Sequence, residues 1–355
     1  MVLSPCRMPS EEEMVSLPAI DLNDPEEVIV SQVIEMMTTV GFLQLKNIAG
    51  FDESRLLNDI KEFHSMPDSE KKKLYPRQFN PENSNRFHGF FPFIDNDPSH
   101  KEFFDMGSPY EEADEEERRK YLVEETPMPQ GPQYASLVVR YRAHETFARR
   151  LGLKVAEYLA MGLGKDRHFF RDWFEVAPLS TFRTIRYLPR ETTGAQTSQL
   201  DLQARRLTTP PHCDSGFITL LTTFGYPGLQ VLIDGEYRFV KPLPNHIVVN
   251  LGSTFERITN FRLKATSHQV ADIGVERYSC PFFLDPRSSA VIPSNILNKE
   301  SAQVEPPIVF GEWLARSMRQ KYGEWKDAFP DLVDEPEGAN EHTQDSHTLA
   351  ENQTE

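Results

Sequence analysis

The chain has 355 residues, 39% of them apolar, and a formal net charge of −16. That acidic balance argues against a nucleic-acid or anionic-membrane surface. Three cysteines are too few and too odd a number for a disulfide framework, so a reducing, cytoplasmic setting is expected, and no apolar run approaches the roughly 18 residues that span a bilayer.

In chain order, residues 1–15 contain Glu11, Glu12 and Glu13 and no apolar stretch. They read as a flexible leader, not a secretory signal or an Arg-rich transit peptide. Residues 17–22 predict a short strand closed by a helix cap near Asn23 or Asp24, residues 26–40 a helix ended by Gly41, residues 42–45 an alternating strand, and residues 53–65 a second helix. Residues 77–110, rich in Asn, Pro and Phe, read as an irregular loop. The longest helical pattern covers 133–163, with Leu137, Tyr141, His144, Phe147, Leu151, Val155 and Leu159 on one side. After residue 175 short apolar runs recur at 181–187, 217–223, 229–233, 247–251 and 277–284, separated by Gly, Pro, Asn and Asp, which is the spacing of an all-β sandwich or barrel. A helical pattern returns over 307–326.

No boundary separates the two halves and no repeat is visible. The expectation is therefore one domain over 16–330, mainly β with a helical layer: a helix-rich part over 16–175, a β-core over 176–306 and a C-terminal helix over 307–330. Residues 331–355 carry eight acidic side chains and no Lys or Arg, and read as a disordered tail.

The chemistry concentrates in the β half. His212 and Asp214 are two apart, so on a strand both face one side while Cys213 faces the other. With His268 they make two imidazoles and a carboxylate, the set that holds one face of a non-haem Fe(II) ion and leaves the remaining positions open. The same ligands suit Zn(II), Mn(II) and Co(II), Cys213 is a competing ligand, and His-x-Asp also recurs by chance. Beyond His268, Arg277 and Ser279 share a strand face that continues through Phe283. Turned inward, a guanidinium beside a hydroxyl holds a carboxylate by charge-assisted hydrogen bonds; turned outward, Arg277 is a solvated surface charge. Arg183, Ile185 and Tyr187 share another face. If that face is inward, Tyr187 adds a third hydrogen bond to the carboxylate, and Arg183 meets a substrate or cosubstrate anion near the metal. The opposite facing would turn Arg186 inward, and periodicity does not choose.

These residues resemble the isopenicillin N synthase-like branch of the Fe(II)/2-oxoglutarate-dependent dioxygenases, over about residues 16–326. The resemblance is carried in the front half by Leu17-Pro18-Ala19-Ile20-Asp21-Leu22, Gly41-Phe42, Phe63-His64-Ser65-Met66-Pro67, Gly89-Phe90 and Lys101-Glu102-Phe103-Phe104-Asp105. In the β half it is carried by Pro211-His212-Cys213-Asp214, Gly228-Leu229-Gln230-Val231, Val249-Asn250-Leu251-Gly252, Ser267-His268-Gln269-Val270 and Arg277-Tyr278-Ser279-Cys280-Pro281-Phe282-Phe283. The resemblance implies a double-stranded β-helix, or jelly roll, with Fe(II) held by His212, Asp214 and His268. It implies 2-oxoglutarate as cosubstrate, its distal carboxylate on Arg277, Ser279 and Tyr187, and Arg183 and Phe283 toward the substrate. The implied reaction uses O2 to oxidise an unactivated C–H bond of a small secondary metabolite by hydroxylation, desaturation or oxidative cyclisation, releasing succinate and CO2; Arg183, on the metal-facing side of its strand, motivates the narrower expectation of a carboxylate-bearing or amino-acid-derived substrate. The expected protein is a monomer with no nucleic-acid or membrane partner.

Three departures stand out. Residues 190–209, with Arg205 and Arg206, are longer than the usual link and form either a lid or a neutral insertion. Ser253 stands where an acidic residue often follows the Asn-Leu-Gly motif, and Gln269 replaces a common arginine. Two other functions stay open: an oxidase resembling isopenicillin N synthase itself, in which Arg277 and Ser279 bind the substrate's own carboxylate without 2-oxoglutarate, and an inactive jelly-roll binding protein.

Overall fold

The computed structural model describes residues 7–120, 122–190, 205–297 and 306–321. Its strands are β1 (Met14–Val15), β2 (Ala19–Asp21), β3 (Phe42–Lys46), β4 (Gly89–Phe91), β5 (Lys101–Gly107), β6 (Thr181–Tyr187), β7 (Leu207–His212), β8 (Ile218–Thr222), β9 (Leu229–Ile233), β10 (Glu236–Val240), β11 (Ile247–Leu251), β12 (His268–Ala271), β13 (Arg277–Leu284), β14 (Val291–Ile292) and β15 (Ile308–Val309). The helices are α1 (Glu26–Thr39), α2 (Glu53–His64), α3 (Asp68–Lys71), α4 (Ala135–Gly162), α5 (Arg171–Phe174), α6 (Ser253–Ile258) and α7 (Phe310–Lys321). None of the described helices is long and apolar enough to cross a membrane.

Eight strands form one sheet in the order β2-β3-β11-β8-β13-β6-β5-β4, and five form a second in the order β1-β10-β9-β12-β7. Phe42 and Val248 of the large sheet pack on Leu229, Val231 and Val240 of the small one, so the two make a sandwich and not a closed barrel. Alternation divides each central strand between two jobs. Along β13, Tyr278, Cys280, Phe282 and Leu284 join the large core with the helices, leaving Arg277, Ser279 and Phe283 for the inner face. Along β5, Phe104 and Met106 join that core, so Lys101, Phe103 and Asp105 take the inner face.

The helical layer rests on α4, which buries Leu137, Tyr141, Leu151, Val155 and Leu159. Its predicted Phe147 packs part-buried against the same core, while His144 turns to a carboxylate. His144 hydrogen-bonds Asp59 at 2.7 Å, and Phe147 stacks on Phe51 at 5.9 Å. Asp52 starts α2 by accepting a hydrogen bond from the Arg55 N–H at 2.9 Å.

The strands expected at 17–22 and 42–45 form as β2 and β3, and together with β4 and β5 they extend the large sheet. Two expectations need correction. Residues 77–110 are not simply a loop, since they hold β4 and the seven-residue β5. The outer face of β5 joins the helical core through Phe104 and Met106, while its inner face mixes Lys101, Phe103 and Asp105, so polar residues stand on both faces and blur the apolar alternation that reveals a strand. The leader is pinned from residue 7 onward. Met14 and Val15 pair in parallel with Phe239 and Val240, and Glu13 accepts hydrogen bonds from Arg7 and Arg205. Arg205 is therefore no lid residue; it is buried against Glu13 and over the Phe239 ring. Residues 191–204, the part of the predicted C-terminal helix after Lys321, and the acidic tail 331–355 lie outside the described residues.

Candidate metal centre and anion site

His212 is the last residue of β7 and lies directly opposite His268, the first residue of β12. Asp214 is not on a strand. It sits in the turn that leads into β8, which begins at Ile218 rather than at His212. The shared facing of His212 and Asp214 thus comes from a pinned turn and not from strand alternation. The start of α6 does the pinning: Ser253 N–H donates to the Asp214 carbonyl at 2.8 Å, and the Thr254 hydroxyl donates to the Ser215 carbonyl at 2.8 Å. Gly252 is required there, because a Cβ on it would stand 2.3 Å from the Gly216 carbonyl oxygen.

The ligand atoms of His212, Asp214 and His268 all lie within 4.8 Å of one another. Asp214 Oδ1 is 3.7 Å from His212 Nε2 and 3.6 Å from His268 Nε2. Each imidazole has its other nitrogen against a backbone carbonyl, Nδ1 of His212 to Pro210 at 2.9 Å and Nδ1 of His268 to Thr266 at 3.2 Å. A carbonyl only accepts, so Nδ1 carries the proton and Nε2 keeps its lone pair for a metal. Asp214 Oδ2 accepts from the Thr219 hydroxyl at 2.5 Å and from the Asn250 amide at 2.8 Å, leaving Oδ1 toward the histidines. Burial alone would raise the Asp214 pKa; the two histidines and these two donors outweigh it and hold the carboxylate below its ordinary value. Cys213 points away and donates to the Ala265 carbonyl at 3.1 Å, which removes it from the ligand set. The donor set suits Fe(II) in nitrogen and oxygen type.

Arg277 and Ser279 are buried on the inner face of β13, and Arg277 pairs in register with Tyr187 of β6. The guanidinium carbon stands 3.5 Å from the centre of the Tyr187 ring. Burial pushes the Tyr187 hydroxyl up, but the Arg277 and Lys101 charges and hydrogen bonding with Ser279 and Arg277 bring its pKa below the ordinary value. Arg277 Nη2 is buried without a hydrogen-bond partner. An unpaired buried guanidinium nitrogen is costly, and a carboxylate arriving between Arg277 and Ser279 would satisfy it. Gly228 leaves the space: with φ +151°, a Cβ on it would lie 3.2 Å from Arg277 Cζ and Nη2.

Arg183 does face inward, as its pairing in phase with Tyr187 requires, but its charge is already answered. Nε and Nη2 grip the two Asp105 carboxylate oxygens at 2.6 and 2.7 Å. Its guanidinium lies over the rings of Phe103 and Phe283, at 4.5 and 5.6 Å. Arg186 points the other way, to Glu276 and Glu102.

Sequence reasoning missed Thr219, Asn250 and Lys101. A single polar residue inside the buried run Ile247–Leu251 was the available signal for Asn250. Gln269, the departure from a common arginine, donates to Gln230 Oε1 at 2.7 Å in the buried interior and touches no ligand.

Behind the centre, Asp285 accepts a hydrogen bond from the Phe217 N–H at 3.1 Å, and burial pushes its carboxyl up to about 7. Below pH 3.8 both folded and unfolded chains hold this proton. Between 3.8 and about 7 only the folded chain does, so stability falls as pH rises through that window. Asp285→Asn keeps the acceptor and removes the titration. It is expected to flatten that part of the pH dependence and to stabilise the metal-free protein at pH 8 by about 4 kcal/mol. Thermal unfolding of both proteins across the window checks this; parallel curves would refute it.

Comparison with known proteins agrees with this geometry. The family described as the 2OG-Fe(II) oxygenase superfamily matches residues 182–286, and the one described as non-haem dioxygenase in morphine synthesis N-terminal matches residues 17–129. Gibberellin 20 oxidase 2 of Oryza sativa subsp. indica is 34% identical over 163 residues, 46% of this chain and 39% of that protein, so the match spans well under half of that relative's length. Mugineic-acid 3-dioxygenase of Hordeum vulgare is 28% identical over 78% of this chain and 76% of its own. The fold matches a full-length Neurospora crassa protein in complex with alpha-KG (TM-score 0.71, 21% identity, 88% of this chain and 98% of that one). It also matches JOX2 in complex with 2OG, Fe and JA (TM-score 0.64, 20% identity, 88% of each chain). The two facing sheets are thus the double-stranded β-helix core of these oxygenases, and the chain belongs to the 2OG-Fe(II) oxygenase superfamily.

Proposed function

We propose that the chain is an Fe(II)- and 2-oxoglutarate-dependent oxygenase that oxidises an unactivated C–H bond of a small molecule. The observation that carries this reading is the pairing of a three-ligand cluster at the small sheet with a buried, unpartnered Arg277 nitrogen on the facing large sheet. When bound, iron and 2-oxoglutarate supply oxidation by O2, with succinate and CO2 as coproducts.

The protein's own part is positional. His212 and His268 offer Nε2 because their Nδ1–H groups are tied to carbonyls. Thr219 and Asn250 restrict Asp214 to one ligating oxygen. Arg277, Ser279 and Tyr187 take the distal carboxylate and so fix where the other end of the cosubstrate lies. Phe103 and Phe283, lying against the guanidinium of the Arg183–Asp105 pair, offer aromatic surface on the inner face against which the apolar part of a substrate packs.

The test is anaerobic addition of Fe(II) and then 2-oxoglutarate to metal-free protein, followed in the visible spectrum. A weak charge-transfer band that needs both components is the expected result. Iron binding without a band sinks the 2-oxoglutarate reading and favours the oxidase resembling isopenicillin N synthase, with Arg277 and Ser279 serving the substrate's own carboxylate.

A further inference from the structure

Lys101 is an inner-face charge that the proposed chemistry does not use. It opens β5 and pairs in register with Tyr187, on the side of that tyrosine opposite Arg277. Its ammonium lies 6.0 Å from the centre of the Tyr187 ring and 3.4 Å from the Thr209 hydroxyl on β7, so it reaches across from the large sheet to the small one. No carboxylate among the described residues forms an ion pair with it. Burial lowers its pKa, Tyr187 and the Asp97 carboxylate oppose that, and the Arg183 and Arg277 charges add to the lowering.

The charges around it balance without it. Arg183 is neutralised by Asp105. A divalent iron with Asp214 carries one positive charge and Arg277 a second; the 2-oxoglutarate dianion cancels both. Lys101 is left as a cation with no carboxylate in ion-pair contact, on the face that also carries Phe103, whose ring stacks on Phe91 at 4.3 Å. A part-buried ammonium held there by the Thr209 hydroxyl gains a charge-assisted hydrogen bond from an incoming anion.

We propose that Lys101 binds the carboxylate of the substrate, and that the substrate class is a small monocarboxylic acid with an apolar body. This rests on the 2-oxoglutarate reading above, because the charge balance assigns that dianion to Arg277 and the metal. The motive for a carboxylate-bearing substrate thereby moves from Arg183, which is paired, to Lys101.

The experiment uses the full chain loaded anaerobically with Fe(II) and 2-oxoglutarate. Its probes are aliphatic and aryl-substituted monocarboxylic acids, each matched with its own primary amide, with binding read from the shift in Tm and from perturbation of the charge-transfer band. At least one acid is expected to bind roughly tenfold or more tighter than its amide, the strength of a charge-assisted hydrogen bond. Lys101→Met should erase that preference and leave 2-oxoglutarate affinity within about twofold of the parent. Lys101→Arg should keep the preference, which a merely structural lysine would not predict. A panel with no acid preference, or a Lys101→Met variant whose loss falls on 2-oxoglutarate instead, overturns the proposal. Absence of the charge-transfer band in the parent protein sinks the underlying reading and this proposal with it, whereas a band without acid preference sinks this proposal alone.

Discussion

Asp214→Ala is expected to lower Fe(II) affinity by more than about 100-fold, while Asn250→Ala, one step removed, lowers it by roughly 10–100-fold. Asp214 supplies the one anionic ligand, and its Oδ1 is the atom on which both histidine Nε2 atoms converge. Without it, two neutral imidazoles remain, too weak a set to hold a hard divalent ion against water. Asn250 touches no metal. Its amide and the Thr219 hydroxyl occupy Oδ2, so its loss frees the carboxylate to rotate and costs orientation rather than a ligand. Asp214→Ala leaves the Thr219 and Asn250 donors unsatisfied and Asn250→Ala leaves the Asp214 acceptor short of one, at about 1–3 kcal/mol for each lost partner, so thermal unfolding of the metal-free variants must accompany anaerobic iron titration. Asp214→Ala binding iron as the parent does would remove His212, Asp214 and His268 from the metal site. Equal losses in the two variants would mean that Asp214 acts through the fold of its turn and not as a ligand.

The strands that build the site were legible where burial is one-sided or complete and apolar. The runs 229–233, 247–251 and 277–284 are strands with those bounds. The three residues that the fold brings together were legible because chemistry restricts which side chains can hold a metal. Their arrangement was not. His212 and Asp214 were placed on one strand face by a period of two, whereas the chain turns between them and α6 fixes the turn through backbone hydrogen bonds. A backbone-to-backbone contact between residues 214 and 253 leaves no mark on side-chain periodicity.

Strand β5 was hidden for a different reason. Its inner face carries Lys101, Phe103 and Asp105, a cation, an aromatic and an anion, which together resemble a loop in composition. They are tolerated inside because each has a partner there: Asp105 holds Arg183, Phe103 lies under the same guanidinium, and Lys101 reaches the Thr209 hydroxyl. The functional face thus erased the pattern by which a strand is recognised. The carboxylate that answers the Arg183 charge was not legible either, since Asp105 lies 78 residues away in sequence.

Arg277→Leu is expected to weaken 2-oxoglutarate by about two to three orders of magnitude, the cost of removing one side of a buried, bidentate ion pair. Its effect on the metal-free, cosubstrate-free protein should have the opposite sign or vanish. In that state Arg277 Nη2 is buried and unpartnered beside Lys101, so exchanging the guanidinium for an apolar side chain removes a desolvated charge and relieves repulsion. Tm of the unliganded variant is therefore expected to equal or exceed that of the parent, while the rise in Tm that 2-oxoglutarate gives the iron-loaded parent disappears. Arg277→Lys should recover only part of the affinity, because an ammonium cannot reproduce the planar two-nitrogen grip or the stacking on Tyr187. A structural role for Arg277 predicts the reverse pattern, a lowered Tm with cosubstrate affinity preserved in whatever protein remains folded. Titration of 2-oxoglutarate into the anaerobic iron complex, alongside thermal unfolding of the unliganded variants, separates the two: unchanged 2-oxoglutarate affinity in Arg277→Leu would leave the inner-face guanidinium without its assigned ligand.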